Sequence, residues 1–281
     1  MTRPDRPLNT TKGGKINILL AGQNATNVDT MIIAQINPQK EQITLISIPR
    51  DIFYNGRKIN SAYANYGWEE FKRELYETTG VKIDHYIIID MMAFVEVVDA
   101  LGGVDVKLEN PVIDPSYKTF DYGKWGTLYY EAGTHHFSGT QALRIARSRH
   151  FSSDFARAKR QQSILEAAKN KAEKMIYKIP QIISLTLQKT ITDLSAAEAL
   201  LYYSRFRNYN IRMGTILSTQ NVLISKSLEE TESHDTCYKQ LPGNKKTIEI
   251  QCAIPPPGQY ILLPRKDWTD VKRYVQNALN R

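Results

Sequence analysis

Three apolar runs, Ile16 to Ala21, Thr30 to Ile36 and Gln42 to Ile48, follow one another with only short polar connections, the second of them a turn at Asn37-Pro38. This spacing constrains the fold more than any other feature of the chain. A crossover between parallel strands needs about a dozen residues or more, so connections this short predict an antiparallel meander. In a meander the end of the first strand, the start of the second and the end of the third lie at one edge of the sheet. Gly22, Gln23, Asn24 and Asp29 are therefore expected beside Arg50 and Asp51.

Downstream the periodicity changes. Residues Trp68 to Thr79 read as a helix stopped by Gly80, His85 to Ile89 as a strand, Met91 to Leu101 as an apolar helix ending at Gly102-Gly103, and Val104 to Leu108 as an alternating strand. This alternation predicts an α/β protein with helices covering a mixed sheet. Pro111 to Gly133 shows no periodicity and reads as a long loop, a candidate flap. Ser138 caps a short helix leading to a strand that carries Leu143, Ile145, Arg147 and Arg149. Helices are expected over Phe155 to Tyr177, before Pro180, over Ser195 to Arg205 and over Trp268 to Leu279, with a strand at Tyr260 to Leu263. Met1 to Gly14 is polar and reads as a linker or tag remnant, ahead of a single domain over 15–281 whose motifs lie in 15–175 and whose 176–281 extension completes the fold.

The segment RSRHFSSDFARAKRQQ, Arg147 to Gln162, concentrates arginine on both sides of a polar turn. On a strand, Arg147 and Arg149 leave one face. On a helix capped by Asp154, Arg157, Arg160 and Gln161 stay near one face. Guanidinium forks match phosphate oxygens in pairs, and a helix N-terminus adds its own attraction for anions. At about 6 Å and an effective dielectric of about 20, each like-charged pair costs roughly 3 kcal/mol, so converging arginines need carboxylates or a bound anion. Surface ion pairs along a solvated helix are the plain alternative. Five arginines, counting Arg50, against Asp29, Asp51 and Asp154 leave two surplus positive charges, which a pyrophosphate diester would balance; the carboxylates could hold Mg²⁺.

Composition agrees without deciding. The 281 residues, 42% hydrophobic, suffice for a full core, and 37 Lys and Arg against 29 Asp and Glu give a net charge of +8, which favours nucleic acid, membrane headgroups or phosphorylated glycans. Cys237 and Cys252 flank turn signals at Pro242 to Asn244 and could close a hairpin; a bridge there would contribute about 3 kcal/mol and imply an oxidising compartment, with free buried thiols the other reading. His135-His136 lacks further ligands at metal spacing and reads as structural. No apolar run approaches the roughly 18 residues of a membrane span, so the chain is either soluble or cut free of an N-terminal anchor.

These residues resemble the LytR-CpsA-Psr family of bacterial cell-wall enzymes. The resemblance runs from about Lys15 to Lys174 and returns at Gly258 to Trp268. It rests on NILLAG at Asn17 to Gly22, DTM at Asp29 to Met31, SIPRD at Ser47 to Asp51, KINSAYANYG at Lys58 to Gly67, IDHY at Ile83 to Tyr86, FVEVVDALGGVDV at Phe94 to Val106 and FSGTQAL at Phe137 to Leu143, then on R-x-R at Arg147 and Arg149, Asp154 with Arg157, and Arg160-Gln161. It implies a three-layer α-β-α sandwich with a central mixed sheet and a hydrophobic lipid groove. It also implies an enzyme outside the cytoplasmic membrane, anchored by a segment this chain lacks, that transfers a glycopolymer such as teichoic acid or capsule from a polyprenyl-pyrophosphate carrier to peptidoglycan with Mg²⁺. By position, Asp29 would hold Mg²⁺. Arg50, Arg147, Arg149, Arg157, Arg160 and Gln161 would hold pyrophosphate, with Lys58 at the rim, and Phe94, Val95 and Val98 would line the groove. Asp29, Arg50, Asp51, Arg147 and Arg157 would carry catalysis, with Asp29 or Asp51 accepting the attacking proton. Asn24 stands where the family often has aspartate, which weakens or alters the metal site. A non-catalytic binder of polyprenyl phosphate or wall glycan is one alternative, and a nucleic-acid-binding regulator using Tyr202 to Arg212 is another.

Overall fold

The meander forms. In the computed structural model, which describes residues 14–121, 124–148, 154–227, 236–240, 247–251 and 260–281, with backbone alone at 121, 154, 155, 236–240 and 247–251, β1 (Ile16–Asn24), β2 (Asn27–Asn37) and β3 (Gln42–Ile48) pair antiparallel. Ile33 lies opposite both Leu19 and Ile46, so alternate residues of all three strands share a face. A two-residue ribbon of β4 (Phe53–Tyr54) and β5 (Arg57–Lys58) leads into α1 (Ala62–Tyr66) and α2 (Trp68–Thr79). Gly80 ends α2 at φ 70°, where its N–H donates to the Tyr76 carbonyl at 2.7 Å.

β6 (His85–Asp90) then pairs parallel with β1, and Asp90 caps α3 (Met91–Ala100) by accepting from the Ala93 N–H at 2.8 Å. After β7 (Val104–Leu108), residues expected as a loop form a hairpin, β8 (Val112–Asp121) with β9 (Lys124–Tyr130), followed by β10 (Gly133–Phe137) paired to β7. The hairpin was hidden because its register breaks between Asp114 and Lys118, which interrupts the alternation. It is a buttress and no flap: Asp114 Oδ2 accepts from the buried Ser148 hydroxyl at 3.0 Å.

Ser148 follows α4 (Gly139–Arg147), and here the structure corrects a second expectation. Leu143, Ile145 and Arg147 lie on a helix, because the capping box of Ser138 and Gln141 continues through them. Ala142, Ile145 and Ala146 are the buried face at helical spacing. α5 (Asp154–Lys174) follows; Pro180 then starts α6 (Ile179–Lys189), leading to β11 (Thr190–Thr192), α7 (Ala196–Phe206) and β12 (Asn210–Ile216). The remainder comprises β13 (Leu223–Ser227), β14 (Thr236–Gln240), β15 (Thr247–Gln251), β16 (Tyr260–Pro264) and α8 (Trp268–Asn280). β14 and β15 make the hairpin anticipated between the cysteines. The Cys237 side chain and Cys252 lie outside the described residues, as do Met1 to Lys12 and Gly13 of the expected linker.

The central sheet runs β11-β6-β1-β2-β3-β12, with parallel pairs at β1–β6 and β3–β12 and antiparallel pairs elsewhere. It is a mixed sheet covered on both faces. Leu19, Ala21, Met31, Ile33, Ile46 and Ile48 pack against Phe71 and Leu75 of α2 and Val271 and Val275 of α8. The opposite face presents Leu20, Ile32, Ala34 and Leu45 to Leu165 of α5, and Ile16 and Ile36 to Phe206 of α7. Burying each such side chain stabilises the fold by about 1.5–3 kcal/mol.

Beneath the first helical layer, Arg57 is buried between Glu70, whose Oε1 accepts at 3.0 Å, and the fully buried Glu74, and its guanidinium stacks 3.8 Å over the Tyr66 ring. Burial pushes the Glu74 carboxyl up to about 7, outweighing the opposing charge of Arg57. A raised carboxyl favours the folded state while protonated. Its contribution is full below the ordinary carboxylate range and is lost as pH rises through about 7. Glu74→Gln removes that titration, so the melting temperature of the variant should fall less between about pH 5 and pH 8 than that of the parent chain. Equal falls in the two proteins would refute the assignment.

Candidate active site

The shared sheet edge brings together the residues the meander predicts. Arg50, just past β3, reaches back to Asp29 near the start of β2 at 2.6 Å (Nη1 to Oδ1), and its Nε lies 3.7 Å from Asp51 Oδ2. Lys58 Nζ holds the other Asp51 oxygen at 2.8 Å. Asn24, at the end of β1, donates its amide to Asp29 Oδ2 at 3.5 Å. These groups form one polar strip across the sheet edge, and Asp29 and Arg50 are each only about a quarter exposed (28% and 26% by side chain).

The second half arrives from α4 and α5. Arg147, exposed at the C-terminal end of α4, and Arg157 and Gln161, one turn apart on α5, reach the same strip. Gln161 fixes the geometry: its amide donates to Thr30 Oγ1 at 3.0 Å and to the Ala146 carbonyl at 3.0 Å, fastening α5 to β2 and to the end of α4. Arg160 does otherwise than expected. Its Nε and Nη2 donate to the carbonyls of Ile145 at 2.8 Å and Ser148 at 2.6 Å, and burial lowers its pKa. It closes the open C-terminal carbonyls of α4 and does not face the groove. Asp154 opens α5, but its side chain and all of Arg149 lie outside the described residues.

Behind the strip runs an apolar groove of about 440 Å³. Its floor is Leu20, Ile32, Ile87 and Ile89 of the sheet; its walls are Phe94, Val97, Val98 and Leu101 of α3, Leu143 of α4, and Ile164 and Leu165 of α5. Phe94 and Val98 line it as expected. Val95 is not in the lining; its backbone lies against α4, where a Cβ on Gly139 would come within 2.2 Å of the Val95 carbonyl oxygen, so glycine sets the close approach of the two helices. Gln23, expected at the shared edge, lines the groove, and so does Thr30, which had no role of its own in the sequence because a threonine in a strand more often serves packing than binding. On the far side of the strip lies a smaller cleft of about 180 Å³. Asp29, Thr30, Arg50, Arg157 and Gln161 line both.

Among the described residues no group of three or more His, Cys, Asp or Glu converges as a metal centre. The donors at the strip still fit a hard cation of the Mg²⁺ type. Asp29 supplies a carboxylate, the Asn24 amide carries an oxygen that rotation would turn inward, and Mg²⁺ retains waters and takes phosphate oxygens as its other ligands.

Fold and site together define a layered α/β protein with an apolar groove closed at one end by guanidinium groups, a shape suited to an amphiphile with an anionic head. The chain belongs to the LytR_cpsA_psr (LytR-CpsA-Psr) family, whose model matches residues 2–241. It is 34% identical over 190 residues to the polyisoprenyl-teichoic acid–peptidoglycan teichoic acid transferase TagU of Halalkalibacterium halodurans, covering 63% of this chain and 57% of that protein. It is 27% identical over 249 residues to the regulatory protein MsrR of Staphylococcus aureus, covering 83% and 72%. The chain thus spans little more than half the length of that transferase. The crystal structure of Bacillus subtilis TagV shares the fold, with a TM-score of 0.69 at 22% identity over 96% of this chain and 99% of that one.

Arg147 is the last residue of α4 and its side chain is exposed, so its loss should spare the fold. Arg147→Ala is expected to leave stability within about 0.5 kcal/mol of the parent while weakening inorganic pyrophosphate binding roughly tenfold in calorimetric titration. Unchanged affinity would place the anion elsewhere.

Proposed function

We propose that the protein is a Mg²⁺-assisted phosphotransferase that acts outside the bacterial cytoplasmic membrane, moving a wall glycopolymer such as teichoic acid or capsule from a polyprenyl-pyrophosphate carrier to peptidoglycan. The observation that carries this reading is the continuity of the apolar groove with the arginine strip: one molecule with a long hydrocarbon tail and a charged head fits both at once. Family membership and the teichoic acid transfer for which the related TagU is named support the same class of reaction. No helix among the described residues is long and apolar enough to cross a membrane; the carrier's tail would enter the groove from the surface of a bilayer.

Leu20, Ile32, Phe94, Val98 and Leu165 would hold the tail by burial, and Arg50, Arg147 and Arg157 would bracket the two phosphates. An acceptor sugar hydroxyl attacks the phosphorus that bears the glycan. The new O–P bond forms as the bond to the bridging oxygen breaks, and polyprenyl phosphate leaves. Its departing charge is stabilised by guanidinium groups already in place, which is where most of the rate enhancement arises. The proton of the hydroxyl passes to Asp29 or Asp51, both at the strip. Bound Mg²⁺, held by Asp29 with Asn24, would supply positive charge to the phosphate oxygens.

Arg157→Ala should lower the rate of polyprenyl phosphate release from a lipid-linked donor about 10²–10³-fold. Full activity there and in Arg147→Ala together would sink the proposal. A non-catalytic lipid-phosphate binder is the reading that Asn24 favours, because an amide contributes no charge to a cation. Mg²⁺-dependent release of polyprenyl phosphate by the parent chain separates the two. Asn24→Asp, by adding a carboxylate, should reduce the Mg²⁺ concentration for half-maximal release roughly tenfold; an unaltered requirement would remove Asn24 from the metal site.

A further inference from the structure

The apolar groove accounts for one substrate, while a transfer reaction needs two. The polar strip is a partition with a cavity on each side, and the two cavities differ in kind. The groove is walled by α3 and the apolar face of α5, whereas the smaller cleft is walled by Pro49, Asp51, Ser218, Thr219, Gln220 and Tyr260. Asp29, Arg50, Arg157 and Gln161 form the wall between them. In a phosphoryl transfer the attacking and leaving oxygens lie roughly in line across the phosphorus. A phosphate head held at the strip with its leaving side toward the groove therefore turns its open side toward the cleft.

We propose that this cleft, between the β3 exit and the turn after β12, is the seat of the acceptor, a neutral hydroxyl-rich sugar. The inference rests on the transferase reading above and deepens it by giving the acceptor its place. The cleft's chemistry supports a neutral ligand: beyond the residues shared with the groove its polar groups are the Asp51 carboxylate, the hydroxyls of Ser47, Ser218 and Thr219, the Gln220 amide and the half-exposed Tyr260, with an apolar remainder and no further cation among the described residues. Hydroxyls and amides match sugar hydroxyls, and an aromatic face packs against a sugar ring. About 180 Å³ holds a sugar unit and excludes a polyprenyl chain.

The turn that presents these groups is held before any ligand arrives. Asn221 Oδ1 accepts from the N–H groups of Ser218 at 2.9 Å and Val222 at 2.8 Å, and its Nδ2 donates to the Ile216 carbonyl at 2.8 Å. From the other side Arg265 Nη2 donates to the Thr219 carbonyl at 2.7 Å. These bonds use backbone groups and leave the Thr219 and Gln220 side chains exposed beside the cleft. Preorganisation of this kind lowers the ordering cost of binding a weak, polar ligand. It also places the acceptor on the side of Asp51, which lines the cleft and not the groove. The hydroxyl oxygen would bond to the glycan-bearing phosphorus, the bond to the bridging oxygen would break toward the groove, and the proton would pass to Asp51.

Two variants test the assignment. Thr219→Trp fills the cleft, and Gln220→Ala removes one sugar-binding group; both residues are exposed, and the backbone bonds that hold the turn survive. The probes are a soluble peptidoglycan oligosaccharide as acceptor and a polyprenyl-pyrophosphate-linked N-acetylhexosamine as donor. Thr219→Trp should raise the acceptor KM and weaken oligosaccharide binding in calorimetric titration at least about tenfold, and Gln220→Ala about threefold, with the donor KM within about twofold in both. Unchanged acceptor parameters in both variants, or a donor KM that rises in parallel, would overturn the cleft as the acceptor seat while leaving the transferase reading intact. A parent chain that binds the oligosaccharide, loses it in Thr219→Trp, yet releases no polyprenyl phosphate would keep the sugar cleft and overturn the transfer reaction.

Discussion

The ion pair between Arg50 and Asp29 is the contact on which the site depends. It joins the exit of β3 to the start of β2 at 2.6 Å, and every other polar group of the strip is arranged around it. Asn24 approaches Asp29 from β1, Asp51 and Lys58 extend the line past Arg50, and Gln161 anchors α5 on Thr30, the residue after Asp29. A partly buried pair of this kind owes its existence to mutual support, since removing either partner deprives the other of its shortest charge contact. The charge it leaves over is informative. Among the described residues of the strip the cations Arg50, Lys58, Arg147 and Arg157 outnumber the carboxylates Asp29 and Asp51. An anionic ligand relieves that excess.

The first half of this site was legible in the sequence because it follows from geometry that short connections cannot evade. Alternating apolar residues and brief turns dictate a meander, and a meander dictates that Asp29, Arg50 and Asp51 meet. The second half was legible in its residue types and in the helix that carries Arg157 and Gln161, and wrong in the element that carries Arg147. Leu143, Ile145 and Arg147 alternate as a strand would, yet Ala142, Ile145 and Ala146 satisfy a helix equally well, and periodicity over so short a run cannot choose. The capping box at Ser138 and Gln141 was the deciding signal: two reciprocal hydrogen bonds start a helix that nothing interrupts before Ser148. Arg160 escaped for another reason. A sequence shows that an arginine shares a helix face with Arg157; it does not show that the carbonyls of Ile145 and Ser148 will bind its guanidinium. The hairpin β8–β9 was obscured by the bulge at Asp114, the same residue that later proves to hold Ser148.

The groove itself distinguishes lipid phosphate from nucleic acid more sharply than net charge does. A protein that tracks a nucleic-acid backbone needs cations spread along a path and aromatic faces open for stacking. The segment Tyr202 to Arg212, the best sequence candidate for such a surface, is committed elsewhere. Tyr202 meets His85 Nε2 at 3.0 Å, Phe206 is buried against Ile16 and Ile36, and Arg212 donates to Gln42, Thr44 and the Ala278 carbonyl. These three side chains tie α7 and α8 to the sheet. The cations of the site, by contrast, gather at one end of a cavity whose walls are Leu, Ile, Val and Phe. Cations at a single point and hydrocarbon beyond it suit a ligand charged at one end only. A polymer bearing a phosphate on every unit would bury charge against those walls at a cost of several kcal/mol per ion, with no partner there to offset it.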